Sequence, residues 1–129
     1  MDLRIVIVDD APFIRELVCQ FCEKTGIKVV GEACDGEEAI EVVKALKPDV
    51  VFMDLIMPKK SGIDASTEIM AALPDTKIIA CSTADDSGII MRALDAGCVN
   101  FVTKPFEGNR LIEIIYSSVK PKSTAGANL

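Results

Sequence analysis

The stretch Val50-Val51-Phe52-Met53-Asp54, continuing as Leu55-Ile56-Met57-Pro58, decides the fold. Four apolar residues run into one carboxylate, and Pro58 keeps the chain from extending as strand or helix. A short continuous apolar run bounded by turn residues predicts a strand buried on both faces, as in a parallel sheet. An aspartate at the exit of such a strand contributes nothing to a core. It stands at the rim where parallel strands end, which is where ligands bind in doubly wound folds. Asp54 is therefore the candidate working residue.

The flanking sequence repeats one pattern. Leu3 to Val8 reads as a strand ending in Asp9-Asp10, and Pro12 opens a helix whose apolar stripe is Phe13, Ile14, Leu17, Val18, Phe21 and Cys22. Gly26 ends that helix, and Ile27 to Val30 is the second strand. Asp35 and Glu38 form a capping box for a helix facing inward through Ala39, Val42, Val43 and Leu46 and ended by Pro48. After the Asp54 strand, Ser61-Gly62 opens a helix running from Ile63 to about Leu73, closed by Pro74. Lys77 to Cys81 is a strand leading into Ser82-Thr83-Ala84. Asp85-Asp86-Ser87 offers caps for a helix through Ile89, Ile90, Ala93 and Leu94, which stops at Gly97. Val99 to Thr103 is the fifth strand, followed by Lys104-Pro105, and Leu111, Ile112, Ile115 and Val119 mark a last helix ended by Pro121.

Strands alternating with helices in near-equal units predict an α/β fold, a doubly wound five-stranded parallel sheet with right-handed crossovers and five helices. Connections alone leave the strand order open. The flavodoxin-like order 2-1-3-4-5 is chosen among the doubly wound options. Residues 1–120 form one domain on this reading, and 121–129, small and polar, a frayed tail or linker stub.

Composition narrows the chemistry. Hydrophobic residues make up 50% of the 129 but aromatics only 5%, so aliphatic side chains do the packing, as befits a sheet covered on both faces. No apolar run is long enough for a membrane span and the N-terminus is no signal peptide, which predicts a cytoplasmic protein without membrane insertion. A net charge of −6 argues against direct binding of nucleic acid. The chain has no histidine, which excludes an imidazole base and a phosphohistidine of its own. Cys19, Cys22, Cys34, Cys81 and Cys98 read as small core residues; the CxxC of Cys19 and Cys22 lies on a helix without a second pair, so metal and redox roles are rejected.

In a parallel sheet the strand ends gather on one rim, which here collects Asp9, Asp10, Asp54, Ser82, Thr83 and Lys104. Three carboxylates that close repel one another unless a cation intervenes. An all-oxygen acidic set suits Mg²⁺, which takes one or two carboxylates and keeps several waters. Such an ion beside a free carboxylate, an ammonium and a hydroxyl is a clamp for a phosphoryl group, with Asp54 as its nucleophile. Taken singly, Asp9-Asp10 is also a helix cap and Ser82-Thr83 a pair of loop hydroxyls; their co-location makes the case.

The chain resembles, over residues 1–120, the receiver domain of two-component response regulators, the CheY-like family. The resemblance is carried by Val8-Asp9-Asp10, Met53-Asp54-Leu55-Ile56-Met57-Pro58 with Ser61-Gly62, Ser82, Ala96-Gly97 and Phe101-Val102-Thr103-Lys104-Pro105-Phe106. It supports the strand order chosen above. It implies that Asp54 is the phosphoacceptor and that Asp10, Asp54 and the Ile56 backbone carbonyl ligate Mg²⁺, with Asp9 acting largely through water. It further implies that Lys104 contacts the phosphoryl group, that the Lys104–Pro105 peptide is cis, and that Ser82 and Phe101 are the switch pair. The implied protein accepts phosphoryl from a sensor histidine kinase or phosphotransfer protein, catalyses that transfer and its slow reversal by hydrolysis, and is otherwise no enzyme. It then binds a downstream target through helix 4, strand 5 and helix 5, either as a stand-alone chemotaxis-type regulator or phosphorelay intermediate or as the receiver of a longer protein.

Three positions depart from the family pattern. Thr83 stands beside Ser82 where a small residue is common, so two hydroxyls compete for the switch role. Ile56 and Ala84 occupy positions that tune hydrolysis, and neither side chain can orient a water, which predicts a long-lived phosphoryl group. Two rivals remain: a phosphorylation-independent pseudo-receiver that only binds partners, and a Mg²⁺-dependent phosphate-ester hydrolase. Intact Asp and Lys positions speak against the first. The second, in its haloacid dehalogenase form, wants Asp-x-Asp after strand one, whereas Asp9 and Asp10 are adjacent.

Overall fold

The computed structural model describes residues 2–83 and 87–119. Its elements alternate strictly: β1 Arg4–Val8, α1 Pro12–Lys24, β2 Lys28–Ala33, α2 Gly36–Leu46, β3 Val50–Asp54, α3 Gly62–Ala72, β4 Lys77–Ser82, α4 Ser87–Asp95, β5 Asn100–Thr103 and α5 Gly108–Val119. All strand pairs are parallel, in the order β2-β1-β3-β4-β5. The expected doubly wound sheet is the one observed.

β3 is the middle strand and every one of its residues is buried. Its alternating side chains feed two cores. Val50 and Phe52 join Ile5, Ile7, Ile79 and Cys81 under α1 and α5. Val51 and Met53 join Val6, Val8, Ile78 and Ala80 under α2, α3 and α4. A strand buried on both faces cannot alternate in polarity, which is why its sequence is a solid apolar run. Phe106, just beyond β5, meets Phe52 edge to face at 5.9 Å between ring centres, tying the chain after Lys104 to the central strand.

The helix caps follow the sequence. Asp35 Oδ1 accepts from the Glu38 amide at 2.8 Å, and Glu38 Oε1 accepts from Cys34 N at 2.8 Å, one residue earlier than the usual capping box. Ser61 Oγ accepts from the Asp64 amide at 3.1 Å. Gly26, at φ +80°, ends α1 in a conformation that few other residues tolerate. The Lys104–Pro105 peptide is cis.

Several boundaries and faces differ from expectation. β2 does not stop at Val30 but runs to Ala33, because a register shift between Ile5 and Val6 lets Gly31–Ala33 pair with Val6–Val8. β4 extends to Ser82, and β5 begins at Asn100, leaving Val99 outside it and exposed. Phe13 is 72% exposed: α1 packs through Val18 and Cys22, and Phe13 sits in the first turn, on the edge of that stripe. Leu94 is exposed because α4 buries only Ala93. Among the cysteines, Cys22, Cys81 and Cys98 are core residues and Cys19 is half-buried, but Cys34 is exposed in the β2–α2 loop and corrects the reading of all five as core. Asp85 and Asp86 as caps, Ala84, Pro121 and the tail 121–129 lie outside the described residues.

One glycine is dictated by the central strand. A Cβ on Gly62 would stand 2.1 Å from the Asp54 carbonyl oxygen, so the start of α3 can lie against the end of β3 only without a side chain. Gly62→Ala is expected to lower stability by about 2–3 kcal/mol in urea unfolding, from overpacking against fixed backbone. Gly26→Ala, where nothing lies within 4 Å and only the positive φ resists, should lose about 1 kcal/mol. Equal losses at the two positions would contradict the close approach.

Candidate functional site: an acidic crevice at the strand ends

Three of the five strands deliver the charged groups. β1 ends at Val8 and passes directly into Asp9 and Asp10; β3 ends on Asp54; β5 ends at Thr103, just before Lys104. Because β1 and β5 flank the β3–β4 pair, the carboxylates and the ammonium meet over the middle of the sheet. One oxygen each from Asp9, Asp10 and Asp54 lie within 4.8 Å of one another. Lys104 Nζ donates to Asp9 Oδ2 at 2.7 Å and stands 3.6 Å from Asp54 Oδ2.

Burial sharpens the electrostatics. Asp9 is 0% exposed and Asp54 4%, while Asp10 is open to solvent. Loss of water is the largest influence on Asp54 and pushes its pKa up to about 6, with the charge of Asp9 adding to the rise. Lys104 and the Ile56 amide, which donates to Asp54 Oδ1 at 3.4 Å, pull the other way and do not fully compensate. Burial alone would lower the Lys104 ammonium, but its hydrogen bond to Asp9 and the charge of Asp54 hold it above its ordinary value. Beneath the crevice, burial raises the Cys81 thiol to about 12, so it stays an inert thiol beside Asp54.

The donor set is all oxygen, with its nearest ammonium shared between two carboxylates. A small hard cation such as Mg²⁺ takes oxygen ligands and keeps several of its waters. One oxygen from each acid lies within 4.8 Å of the other two, near enough for all three to face one such ion, with waters to complete its shell.

The sequence-predicted residues are placed as follows. Asp9, Asp10, Asp54 and Lys104 converge. Ser82 ends β4, 1% exposed, and its carbonyl accepts from the Lys104 amide at 2.9 Å. Thr83, the next residue, is exposed, so the two hydroxyls have unlike surroundings. The Ile56 side chain is 60% exposed beside Asp54. Phe101 on β5 is partly buried against the core shared with α4, and Pro105 and Phe106 line a groove of about 340 Å³ with Phe101 and Arg110. Two features escaped the sequence reading: Lys59, in the left-handed conformation at φ 67° and 3.7 Å from Asp35, and Arg15, whose guanidinium donates to the Asp9 carbonyl at 2.6 Å. Arg15 did leave a signal, since a cation is disfavoured near a helix N-terminus and calls for a partner elsewhere.

Comparison with known proteins places the geometry in a family. The response regulator receiver domain model matches residues 5–116. The chemotaxis protein CheY of Thermotoga maritima is 44% identical over 115 residues, spanning 89% of this chain and 96% of that protein. The response regulator domain of Thermotoga maritima CheB superposes with a TM-score of 0.84 at 34% identity, covering 94% of this chain and 100% of that one. CheY of Borrelia burgdorferi, solved as a CheX–CheY–BeF₃–Mg²⁺ complex, gives a TM-score of 0.89 at 26% identity over 92% of this chain and 90% of that one.

A raised carboxylate pKa in the fold has a definite sign in stability. Between about 3.8 and about 6 the folded chain holds a proton on Asp54 that the unfolded chain has released, so stability falls as pH rises through that window. Asp54→Asn should therefore stabilise the protein without divalent ions at pH 7.5 by about 1–2 kcal/mol, a gain that disappears below pH 4. Thermal unfolding of both proteins across pH 3.5–8 in chelator checks it; equal midpoints at pH 7.5 would contradict the strained carboxylate.

Proposed function

This chain belongs to the response regulator receiver domain family, and from that premise we propose that it is a phosphorylation-driven signalling switch that stores charge on Asp54. The observation that carries the proposal is a buried carboxylate ending the central strand, with two further carboxylates within 4.8 Å and an ammonium at 3.6 Å. The cation would be Mg²⁺, and Asp10, Asp54 and the Ile56 carbonyl would hold it, with Asp9, already bonded to Lys104, contributing largely through water. The relative from Borrelia burgdorferi, which carries Mg²⁺ together with BeF₃, supports that choice. When bound, the ion neutralises the acids and the oxygens of an incoming phosphoryl group.

The donor is a phosphohistidine, as for the family, and it lies on a partner kinase or phosphotransfer protein, since this chain has no histidine. Asp54 Oδ attacks phosphorus; the N–P bond breaks as the O–P bond forms, and the electron pair returns to the partner's imidazole. Lys104 pairs with the phosphoryl oxygens from the Asp54 side, and the domain thus catalyses its own modification. Buried Ser82, in preference to exposed Thr83, donates to the phosphoryl group, and Phe101 moves inward after it. The surface of α4, β5 and α5, on which α4 exposes Met91 and Leu94, then presents a new face to a downstream partner in the cytoplasm.

Slow loss of the group follows from the crevice mouth. The Ile56 side chain, two residues beyond Asp54 and exposed, has no polar atom with which to align water for attack.

Incubation with acetyl phosphate and Mg²⁺, read by intact mass, is expected to add one phosphoryl group to the wild type and none to Asp54→Asn. Failure of the wild type to gain mass, with Mg²⁺ binding intact, would make the domain a phosphorylation-independent binding module. Ile56→Asn should shorten the phosphoryl lifetime at least severalfold; an unchanged or longer lifetime would contradict the role given to Ile56.

A further inference from the structure

Four polar groups of Asp9 are each engaged. Its amide donates to Ala33 O at 3.1 Å, and its carbonyl accepts from Arg15 Nη1 at 2.6 Å. Oδ1 accepts from the Ala11 amide at 2.9 Å and Oδ2 from Lys104 at 2.7 Å. Asp10 has a different situation. It is exposed, and the position of its carboxylate depends on the peptide it shares with Asp9, whose carbonyl is the group Arg15 holds.

Arg15 reaches two elements at once. Nη1 bonds the Asp9 carbonyl, and Nε pairs with Glu32 of β2 at 3.1 Å, with the arginine side chain only 19% exposed. The planar fork of a guanidinium supports both contacts from one rigid group, which a lysine cannot do. Local helix physics does not explain an arginine here. α1 has no acidic residue in its first turn and no side-chain cap, so a cation there gains nothing from the helix itself. The pair with Glu32, whose carboxylate is open to solvent, would also contribute little alone. The contact that makes sense of the residue is the one to the backbone between the two acids.

We propose that Arg15, braced by Glu32, is a positioning residue that fixes the Asp9–Asp10 peptide and thereby aims the Asp10 carboxylate at the cation. Groups that orient metal ligands without touching the ion commonly change affinity by about 10–100-fold when removed. This rests on the functional reading above for the ion, but its structural half is independent of it.

The test is made on the full chain. Arg15→Ala is expected to weaken Mg²⁺ binding, measured by calorimetry, about tenfold. It should also accelerate amide hydrogen exchange at Ala11 in the metal-free protein more than at residues of β3. Arg15→Lys, keeping the charge but not the fork, should fall between, and Glu32→Gln should shift both readings in the same direction by less. Arg4→Ala serves as the control: Arg4 holds the carbonyls of Leu46 and Lys47, and its loss should lower the melting temperature without altering either reading. If Arg15→Ala folds with unchanged Mg²⁺ affinity and unchanged Ala11 exchange, the proposal is overturned. Should it fail to fold, Arg15→Lys and Glu32→Gln decide by the same two readings. A wild type that does not bind Mg²⁺ strikes the functional reading alone, and Ala11 exchange still decides the clamp.

Discussion

Repulsion among three carboxylates at one edge of the sheet is the constraint that organises this molecule. Asp9, Asp10 and Asp54 bring oxygens within 4.8 Å, and a single ammonium, Lys104, is divided between two of them. The arrangement leaves a deficit of positive charge. Asp54 registers it as a pKa near 6, driven first by burial. A protein under selection for stability alone would replace one of these acids; keeping all three makes sense where an ion and a transferred group complete the site.

The fold holds the groups together in spite of that repulsion. β3 is buried along its length, so the backbone that carries Asp54 is anchored by both cores. The ladder continues past it, with the Leu55 amide donating to Cys81 O at 2.9 Å. Gly62 lets α3 begin directly against the Asp54 carbonyl, and Phe106 secures the segment that carries Lys104. Binding energy from apolar packing thus supports a polar edge that is unfavourable by itself.

Much of this was legible in the sequence, for identifiable reasons. The Val50–Asp54 run, short and bounded by turn residues, reads as a doubly buried strand, and the Asp35/Glu38 cap and Gly26 stop mark helix ends through local chemistry that survives tertiary context. Asp9, Asp10, Asp54 and Lys104 were found because a parallel sheet sends all strand ends to one rim. Illegible were features set by relations between elements. The extension of β2 depends on a register shift opposite Ile5 and Val6, and the exposure of Phe13 and Leu94 depends on which part of each helix stripe meets the sheet. The contact of Arg15 with a backbone carbonyl has no periodic signature, and neither has the left-handed turn at Lys59.

The central claim is that the three clustered acids destabilise the fold unless a divalent cation neutralises them. It is tested most directly by the unfolding midpoint of the wild-type chain as a function of Mg²⁺ concentration at pH 7.5 and at pH 4.5. The account predicts a midpoint that climbs with the logarithm of Mg²⁺ above the dissociation constant at pH 7.5, and a much flatter response at pH 4.5, where Asp54 is protonated. A midpoint indifferent to Mg²⁺ at pH 7.5 would contradict it.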